Sequence, residues 1–518
     1  MNGADMLCDV LLANGVDVCF ANPGTSEMHF VAALDRRPDM RCVLGLSEAI
    51  VTGAADGYAR MADKPAATLL HCGPGLANGL SNIHNAKRAR TPMLNIVGDH
   101  ATGHLKYDAP LTSDIERLAQ PMSHWVGRAV HPCEIRNRTE AALNATYLTR
   151  GPSTLILPAD AAWSELKREP LSPIALPVSQ AVSSDTIAAC ARALRSGVKA
   201  AIFLSGRAMR QDALIAAGRI SAATGALIFS TTSGRYQRGA GRVPVTSVPY
   251  KIDLALDALK EIQLAICVGS GEPVGFFGYP GKPGLMLPES CEKIQLAGYE
   301  HDLQQALEML AGALGLGESA PYLVNTLRQD EIADPASDTL TGDAISIMVA
   351  RRLPEQAILV DEAVTSIGQM HILANMLPPH DTLPNTGGSI GIGIPLSTGA
   401  AIACPSRKVL TLQADGSGMY TVQGLWTQAR EKLNVLTIVF ANSAYRILQG
   451  EMTNVGVTAY GRNASRMLDL DQPRLDWCSL ARGMGVEAGR ANTAVEFRRL
   501  LEAGIARNGP FLIEAIIE

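Results

Sequence analysis

Short apolar runs alternate with longer segments of helical spacing along this chain. In the first third the apolar runs occupy 16–20, 41–46, 66–72, 93–99 and 153–158. Each is almost continuously apolar, the pattern of strands buried on both faces of a parallel sheet. Between them, stretches such as 47–61 and 76–90 space their apolar residues as helices do. The alternation returns at 200–204, 226–230, 264–268 and 293–296, and again at 357–361, 409–414, 435–441 and 511–517. It is interrupted by a Pro-rich linker at 168–177 and by a weaker, polar boundary at 314–338. The expectation is an α/β chain of three doubly wound parallel-sheet domains, over 1–167, 180–318 and 335–518.

Composition narrows the function classes. A length of 518 residues calls for more than one core, and 47% apolar with 18% charged residues describes a globular protein. A net charge of −5 without a long basic run gives nucleic-acid binding no electrostatic support. Ten cysteines are scattered without a C-x-x-C, which argues against a zinc site and a disulfide framework and fits a reducing cytosol. The opening Met1-Asn2-Gly3-Ala4-Asp5 has no basic n-region, so no signal peptide is expected. No apolar run approaches the ~20 residues of a membrane span. A cytoplasmic protein without a membrane partner is expected.

Two motifs near opposite ends carry the chemistry. Ala414-Asp415-Gly416-Ser417 follows the strand expected at 409–414, and Asn442-Ser443-Ala444-Tyr445 follows the one at 435–441. Adjacent parallel strands set their carboxyl ends side by side, where open α/β sheets bind ligands. Asp415 can offer a hard carboxylate oxygen to Mg²⁺. Gly416 allows close backbone approach, and Ser417 can donate to a phosphate oxygen. Near the other end, Glu48 begins an apolar helical run, Ser47 to Arg60. It is preceded by Phe20-Ala21-Asn22-Pro23-Gly24-Thr25-Ser26-Glu27 and followed by His71-Cys72-Gly73-Pro74-Gly75-Leu76-Ala77-Asn78.

These segments, with Gly151-Pro152-Ser153, Pro158-Ala159-Asp160 and Thr386-Gly387-Gly388, resemble the benzoylformate decarboxylase and acetolactate synthase branch of the thiamine diphosphate enzymes. The resemblance implies a pyrimidine-binding N-terminal domain, a central domain and a diphosphate- and Mg²⁺-binding C-terminal domain. It also implies a cofactor shared across a homodimer or homotetramer interface. Metal ligands would be Asp415, Asn442 and the Ala444 carbonyl. Cofactor contacts would be Asn22, Pro23, Gly24, Val364, Thr365, Gly388, Ile390, Gly416, Ser417 and Tyr445. Glu48 would activate the cofactor from its pyrimidine, and an apolar pocket suits that carboxyl because burial strengthens its hydrogen bond. Ile390 would hold the cofactor bent. Three departures from the family pattern are Ala414 for a glycine, Ala441 for an asparagine and Arg446 for a glycine.

The implied activity is loss of carbon dioxide from a 2-oxo acid. Protonation then gives an aldehyde, or attack on a second carbonyl gives a hydroxyketone, so decarboxylase and acetolactate synthase-type ligase both stand, beside a non-catalytic cofactor-binding subunit. His71 matches the relay histidine of the decarboxylase type. The second relay histidine is replaced near Phe276-Phe277-Gly278. By counting, the positions that pack a phenyl substrate become Pro384 and Glu451. A smaller or more polar side chain is therefore expected, in a pocket of Thr25, Leu111, Phe276, Ile447 and Leu448. Gly269-Ser270-Gly271 in the middle domain matches where related enzymes bind FAD or leave the fold empty, and the empty fold is favoured here.

Overall fold

The computed structural model describes residues 1–457 and 459–517. Its first third supplies β1 (Val18–Asn22), β2 (Arg41–Leu44), β3 (Ala66–Leu70), β4 (Met93–Asp99), β5 (Trp125–Arg128) and β6 (Pro152–Pro158). They form one parallel sheet in the order β2-β1-β3-β4-β6-β5. The middle third supplies β7 (Ala200–Leu204), β8 (Leu227–Ser230), β9 (Tyr236–Arg238), β10 (Thr246–Ser247), β11 (Leu264–Val268) and β12 (Glu292–Ala297). All but β9 make a parallel sheet in the order β10-β8-β7-β11-β12. The last third adds β13 (Ile358–Glu362), β14 (His380–Pro384), β15 (Val409–Ala414), β16 (Val435–Ala441), β17 (Glu487–Ala491) and β18 (Phe511–Ile516). Their order is β17-β18-β16-β15-β13-β14, with β9 closing the β14 edge antiparallel. The three doubly wound α/β sheets are as expected, and β9 crosses from the middle segment into the last sheet, where it covers an otherwise open edge.

In each sheet the strand order reverses beside one central strand. The reversal lies between β1 and β3 in the first sheet, β7 and β11 in the second, and β13 and β15 in the third. Loops leaving neighbouring strands there diverge to opposite faces and open a crevice at the carboxyl ends.

The first and third sheets share a core. Val51, Ala54 and Tyr58 of the helix Glu48–Ala62 pack with Leu396, Ala400 and Ala401 of the helix Gly393–Ala403, and with Ile358 and Val409 of the last sheet. The two helices approach closely because both present glycine. A Cβ on Gly57 would stand 2.0 Å from the Leu396 oxygen, and one on Gly399 1.8 Å from the Ala54 oxygen. The middle domain keeps separate cores on the two faces of its sheet.

Candidate active site

At the first reversal point, Asn22 of β1 lies opposite Leu70 of β3. Asn22, Pro23 and Gly24 therefore stand beside His71, which caps the helix Cys72–Ala89. A Cβ on Gly24 would fall 2.2 Å from His71 Nδ1, so only glycine lets the ring lie over this loop. His71 Nδ1 is 2.8 Å from Oε2 of Glu27, and the Gly24 N–H donates to the same oxygen at 2.8 Å. Glu27 is 3% exposed. The Ser26 hydroxyl donates to Glu27 and lies 3.3 Å from His71 Nδ1 and 3.1 Å from Cys72 Sγ. Thr25 is exposed, so the hydroxyl brought to His71 is that of Ser26. Glu27, His71 and Cys72 present ligand atoms within 4.8 Å of one another. Burial pushes the Cys72 thiol up to about 11, which keeps it protonated and suits a hydrogen-bonded cluster.

Glu48 is the first residue of its helix and 5% exposed. Its Oε2 accepts from Asn78 Nδ2 at 3.2 Å. A Cβ on Gly75 would stand 2.9 Å from Glu48 Oε1 and 3.2 Å from His71 Cβ. Gly75 thus sets the Glu48 carboxylate and the His71 side chain against one turn of the Cys72–Ala89 helix. The loop carrying Leu111 lies on the same turn, since Ser113 Oγ would meet a Cβ on Gly73 and itself donates to the Leu111 carbonyl at 3.3 Å.

The second half of the site lies at the third reversal point. Ala414 pairs with Phe440, so Asp415 and Asn442 leave adjacent strand ends. Asp415 is 3% exposed and accepts from the N–H groups of Gly416 at 2.8 Å and Ser443 at 2.7 Å. It has no ion-pair partner among the described residues, and burial pushes its carboxyl up against the pull of those N–H groups. Asn442 Oδ1 accepts from the Ala444 N–H at 3.0 Å, and its Nδ2 donates to Ser366 Oγ at 3.2 Å. No donor among the described residues meets the Ala444 carbonyl. These three oxygens could hold a hard divalent cation, and the uncompensated buried charge of Asp415 fits one.

Gly416 is needed for packing, because its Cβ would stand 2.5 Å from the Tyr445 ring. The Ser417 hydroxyl turns inward, accepting from Gln413 Nε2 at 2.7 Å and donating to the Ala414 carbonyl at 3.2 Å. Tyr445 caps the helix Arg446–Asn454, which carries Ile447 and the exposed Leu448. That helix packs on the turn Val364–Ser366, which includes Thr365. Val364 there holds φ 54°, a strained value for a β-branched residue and a mark of functional sites.

Between the halves runs the loop 385–392. Gly388 takes φ 78° and donates its N–H to Asn385 Oδ1 at 3.0 Å. Ile390 is half-buried in a bend of this loop rather than in a strand. Glu362, 2% exposed, accepts from the N–H groups of Gly391 at 2.8 Å, Ile392 at 3.2 Å and Gly393 at 2.8 Å, and from Gln413 Nε2 at 2.9 Å. From the other side, Asn85 exchanges two hydrogen bonds with the Ser389 backbone, and His84 Nε2 is 3.1 Å from the Gly387 carbonyl. The Cys72–Ala89 helix thus touches Glu48 through Asn78 and the loop through Asn85, about 10 Å further along at ~1.5 Å per residue. Phe276 reaches this loop from the middle domain: its Cζ would lie 2.6 Å from a Cβ on Gly388.

Ser26, Glu27, Asn78, Asn85, Glu362 and Gln413 were not among the sequence-derived candidates. The available signals were slight: Glu362 ends a buried strand, and Asn78 and Asn85 recur at i and i+7 on one helix.

Comparison with known proteins shows the family. Residues 1–122 match the family described as thiamine pyrophosphate enzyme, N-terminal TPP binding domain, and residues 366–515 match its C-terminal TPP binding domain. The chain is 44% identical over 519 residues to the Mycobacterium tuberculosis protein named "Putative acetolactate synthase large subunit IlvX", covering 100% of this chain and 99% of that one. It is 26% identical to benzoylformate decarboxylase of Pseudomonas aeruginosa, over 98% of this chain and 97% of that protein. Its fold is that of the thiamine diphosphate-dependent 4-hydroxybenzoylformate decarboxylase of Rhodococcus jostii RHA1, with a TM-score of 0.84, 23% identity, and coverage of 100% and 99% of the two chains. No helix among the described residues is long and apolar enough to cross a membrane. The chain belongs to the thiamine pyrophosphate enzymes, in the branch that holds the acetolactate synthases and benzoylformate decarboxylases.

Proposed function

We propose that this chain catalyses the thiamine diphosphate- and Mg²⁺-dependent, non-oxidative decarboxylation of a 2-oxo acid to an aldehyde. The observation that carries the reading is the meeting of Glu48 and His71 across Gly75. When bound, thiamine diphosphate supplies an electron sink for the carbon–carbon bond that breaks. Glu48 would hold the pyrimidine end, its carboxyl steadied by Asn78. Asp415, Asn442 and the Ala444 carbonyl would hold Mg²⁺, with the diphosphate near Val364, Thr365, Gly416 and the Ser417 N–H group. His71 would carry the proton that completes the aldehyde. Glu27 occupies its Nδ1, which leaves Nε2 to face the substrate. Leu111, Phe276, Ile447 and Leu448 would wall the substrate side chain and exclude water.

Self-association belongs to the same reading. Pro74, Ala77, Asn78 and Ser81 form an exposed stripe of the Cys72–Ala89 helix beside Glu48, which supports a second chain closing this face. The reading assigns no FAD. A ligase outcome, in which a second carbonyl replaces the proton, is favoured by the identity to the chain named as an acetolactate synthase large subunit. The test is incubation with Mg²⁺, thiamine diphosphate and a panel of 2-oxo acids, with products identified by mass spectrometry. An aldehyde from one acid supports the decarboxylase. An acetohydroxy acid as the main product replaces it with the ligase. Cofactor binding without any product refutes both.

A further inference from the structure

One acidic side chain beside this cleft has no cationic partner. Glu451 lies on the helix Arg446–Asn454, which packs on the turn Val364–Ser366. Its Oε2 accepts from the Tyr279 hydroxyl at 2.5 Å, and its Oε1 from Asn454 Nδ2 at 3.2 Å. None of the ion pairs among the described residues includes it. Tyr279 closes a run of aromatic residues in the middle domain, Phe276-Phe277-Gly278-Tyr279. Tyr250 stands 5.4 Å from Phe276, centroid to centroid, and Phe276 stands 4.9 Å from Phe277. Burial, and after it the Glu451 charge, hold the Tyr250 phenol above its ordinary range. Phe276 in turn touches Gly388. The short segment from Phe276 to Tyr279 therefore reaches both the cofactor loop and the acid. Arg446, on the same helix, is five positions earlier, about 140° around the axis, and does not neutralise it.

A half-buried carboxylate beside half-exposed aromatic rings is a receptor for a cation. The acid supplies charge-assisted hydrogen bonds, and the rings supply cation–π attraction. An apolar side chain placed there would leave the acid desolvated without compensation. We infer that the cleft selects 2-oxo acids whose side chain ends in a cationic group, bound by Glu451 among Tyr250, Phe276 and Tyr279. The inference rests on the decarboxylase reading for the 2-oxo acid end of the substrate, whereas the charge selection can be measured without turnover.

The test uses the protein loaded with thiamine diphosphate and Mg²⁺. Titration calorimetry compares three unreactive acids, 5-guanidinopentanoate, 6-aminohexanoate and hexanoate. The expected result is about tenfold or tighter binding of one cationic acid over hexanoate. That preference should narrow to about threefold or less in Glu451→Gln and persist in Tyr279→Phe. Equal affinities for the three acids overturn the inference, as does an undiminished preference in Glu451→Gln. If Glu451 only anchored Tyr279, the two variants would behave alike, which also overturns it. In parallel, carbon dioxide release is followed from 2-oxo-5-guanidinopentanoate and 2-oxohexanoate. Charge-selective binding with no release from either acid sustains the selection and removes the decarboxylase. Equal release from both keeps the decarboxylase and removes the selection.

Discussion

Glu27 offers a sharp test of how His71 is made useful. Its carboxylate holds His71 Nδ1 and the Gly24 N–H on one oxygen and the Ser26 hydroxyl on the other. In Glu27→Gln, an amide oxygen at the Oε2 position keeps the first two bonds, and the amide nitrogen faces Ser26. Geometry survives and charge is lost. A hydrogen bond to a charged group is worth about 1 kcal/mol more than a neutral one, so proton transfer through His71 should slow about fivefold. In Glu27→Ala the ring loses its anchor and the buried Gly24 N–H loses its acceptor. That combination costs about 3 kcal/mol, on the order of a hundredfold in rate.

The assay is kcat for aldehyde release from the best 2-oxo acid, with deuterium exchange at the cofactor C2 followed by NMR as a control. Exchange depends on Glu48 and should hold within about twofold in both variants. A folded Glu27→Ala protein with kcat within about twofold of wild type would refute the positioning role. Equal losses in exchange and turnover would also refute it, since they would report a general collapse of the cleft.

Three further outcomes follow from the same geometry. Glu48→Gln should bind thiamine diphosphate yet lose C2 exchange by about three orders of magnitude or more, and unchanged exchange by NMR would remove Glu48 from its role. Asp415→Ala should abolish Mg²⁺-dependent binding of the cofactor, as EDTA should for the wild type; calorimetry showing normal affinity in either case would remove the metal site. His380, fully buried with Nδ1 2.8 Å from the Pro378 carbonyl, is pushed down to about 4 by burial. A base held below its unfolded value contributes stability at neutral pH that is lost as pH falls from about 6.5 to about 4, by up to about 1.4 kcal/mol per pH unit. Urea midpoints between pH 7 and 5 should therefore fall less steeply in His380→Gln, and parallel profiles would contradict this.

Strands buried on both faces were plain in the sequence: β7, β11, β15 and β16 fall at their expected positions because their side chains are mostly apolar. The strands that escaped are those whose environment is mixed. β5 and β17 lie at sheet edges and read Trp-Val-Gly-Arg and Glu-Ala-Gly-Arg-Ala. β14 begins His-Asp, and its buried Asp381 is compensated by Arg235 at 2.5 Å and Arg407 at 2.7 Å, 146 and 26 positions away. No local pattern announces a charge that is neutralised from so far off. The site shows the same division. Glu48, His71, Asp415 and Asn442 were legible as motif residues, but Glu27 and Glu362 act through backbone N–H groups and neighbouring side chains, which no spacing reveals. The hydroxyl beside His71 is that of Ser26, because the 3₁₀ turn Thr25–Glu27 directs its second residue inward.

The polar residues hidden from the sequence explain how domains with separate sheets hold one loop in place. Arg60 is the clearest case. It is 4% exposed and doubly bonded to Asp56, and it donates to the Gly234 carbonyl at 3.0 Å and the Pro384 carbonyl at 2.8 Å. Those partners lie in the first, middle and last thirds of the chain. Pro384 ends β14 and begins the loop that carries Gly388 and Ile390. A buried ion pair gives little net stability against its desolvation, so its value here lies in orientation. Apolar contact between the helices Glu48–Ala62 and Gly393–Ala403 supplies the adhesion, and it would tolerate small slides. Directional bonds from Arg60, Asn85 and Glu362 fix the loop at its start, middle and end. Fixing that loop is what a cofactor shared across a subunit interface would require, because a contact displaced by an ångström loses much of its effect.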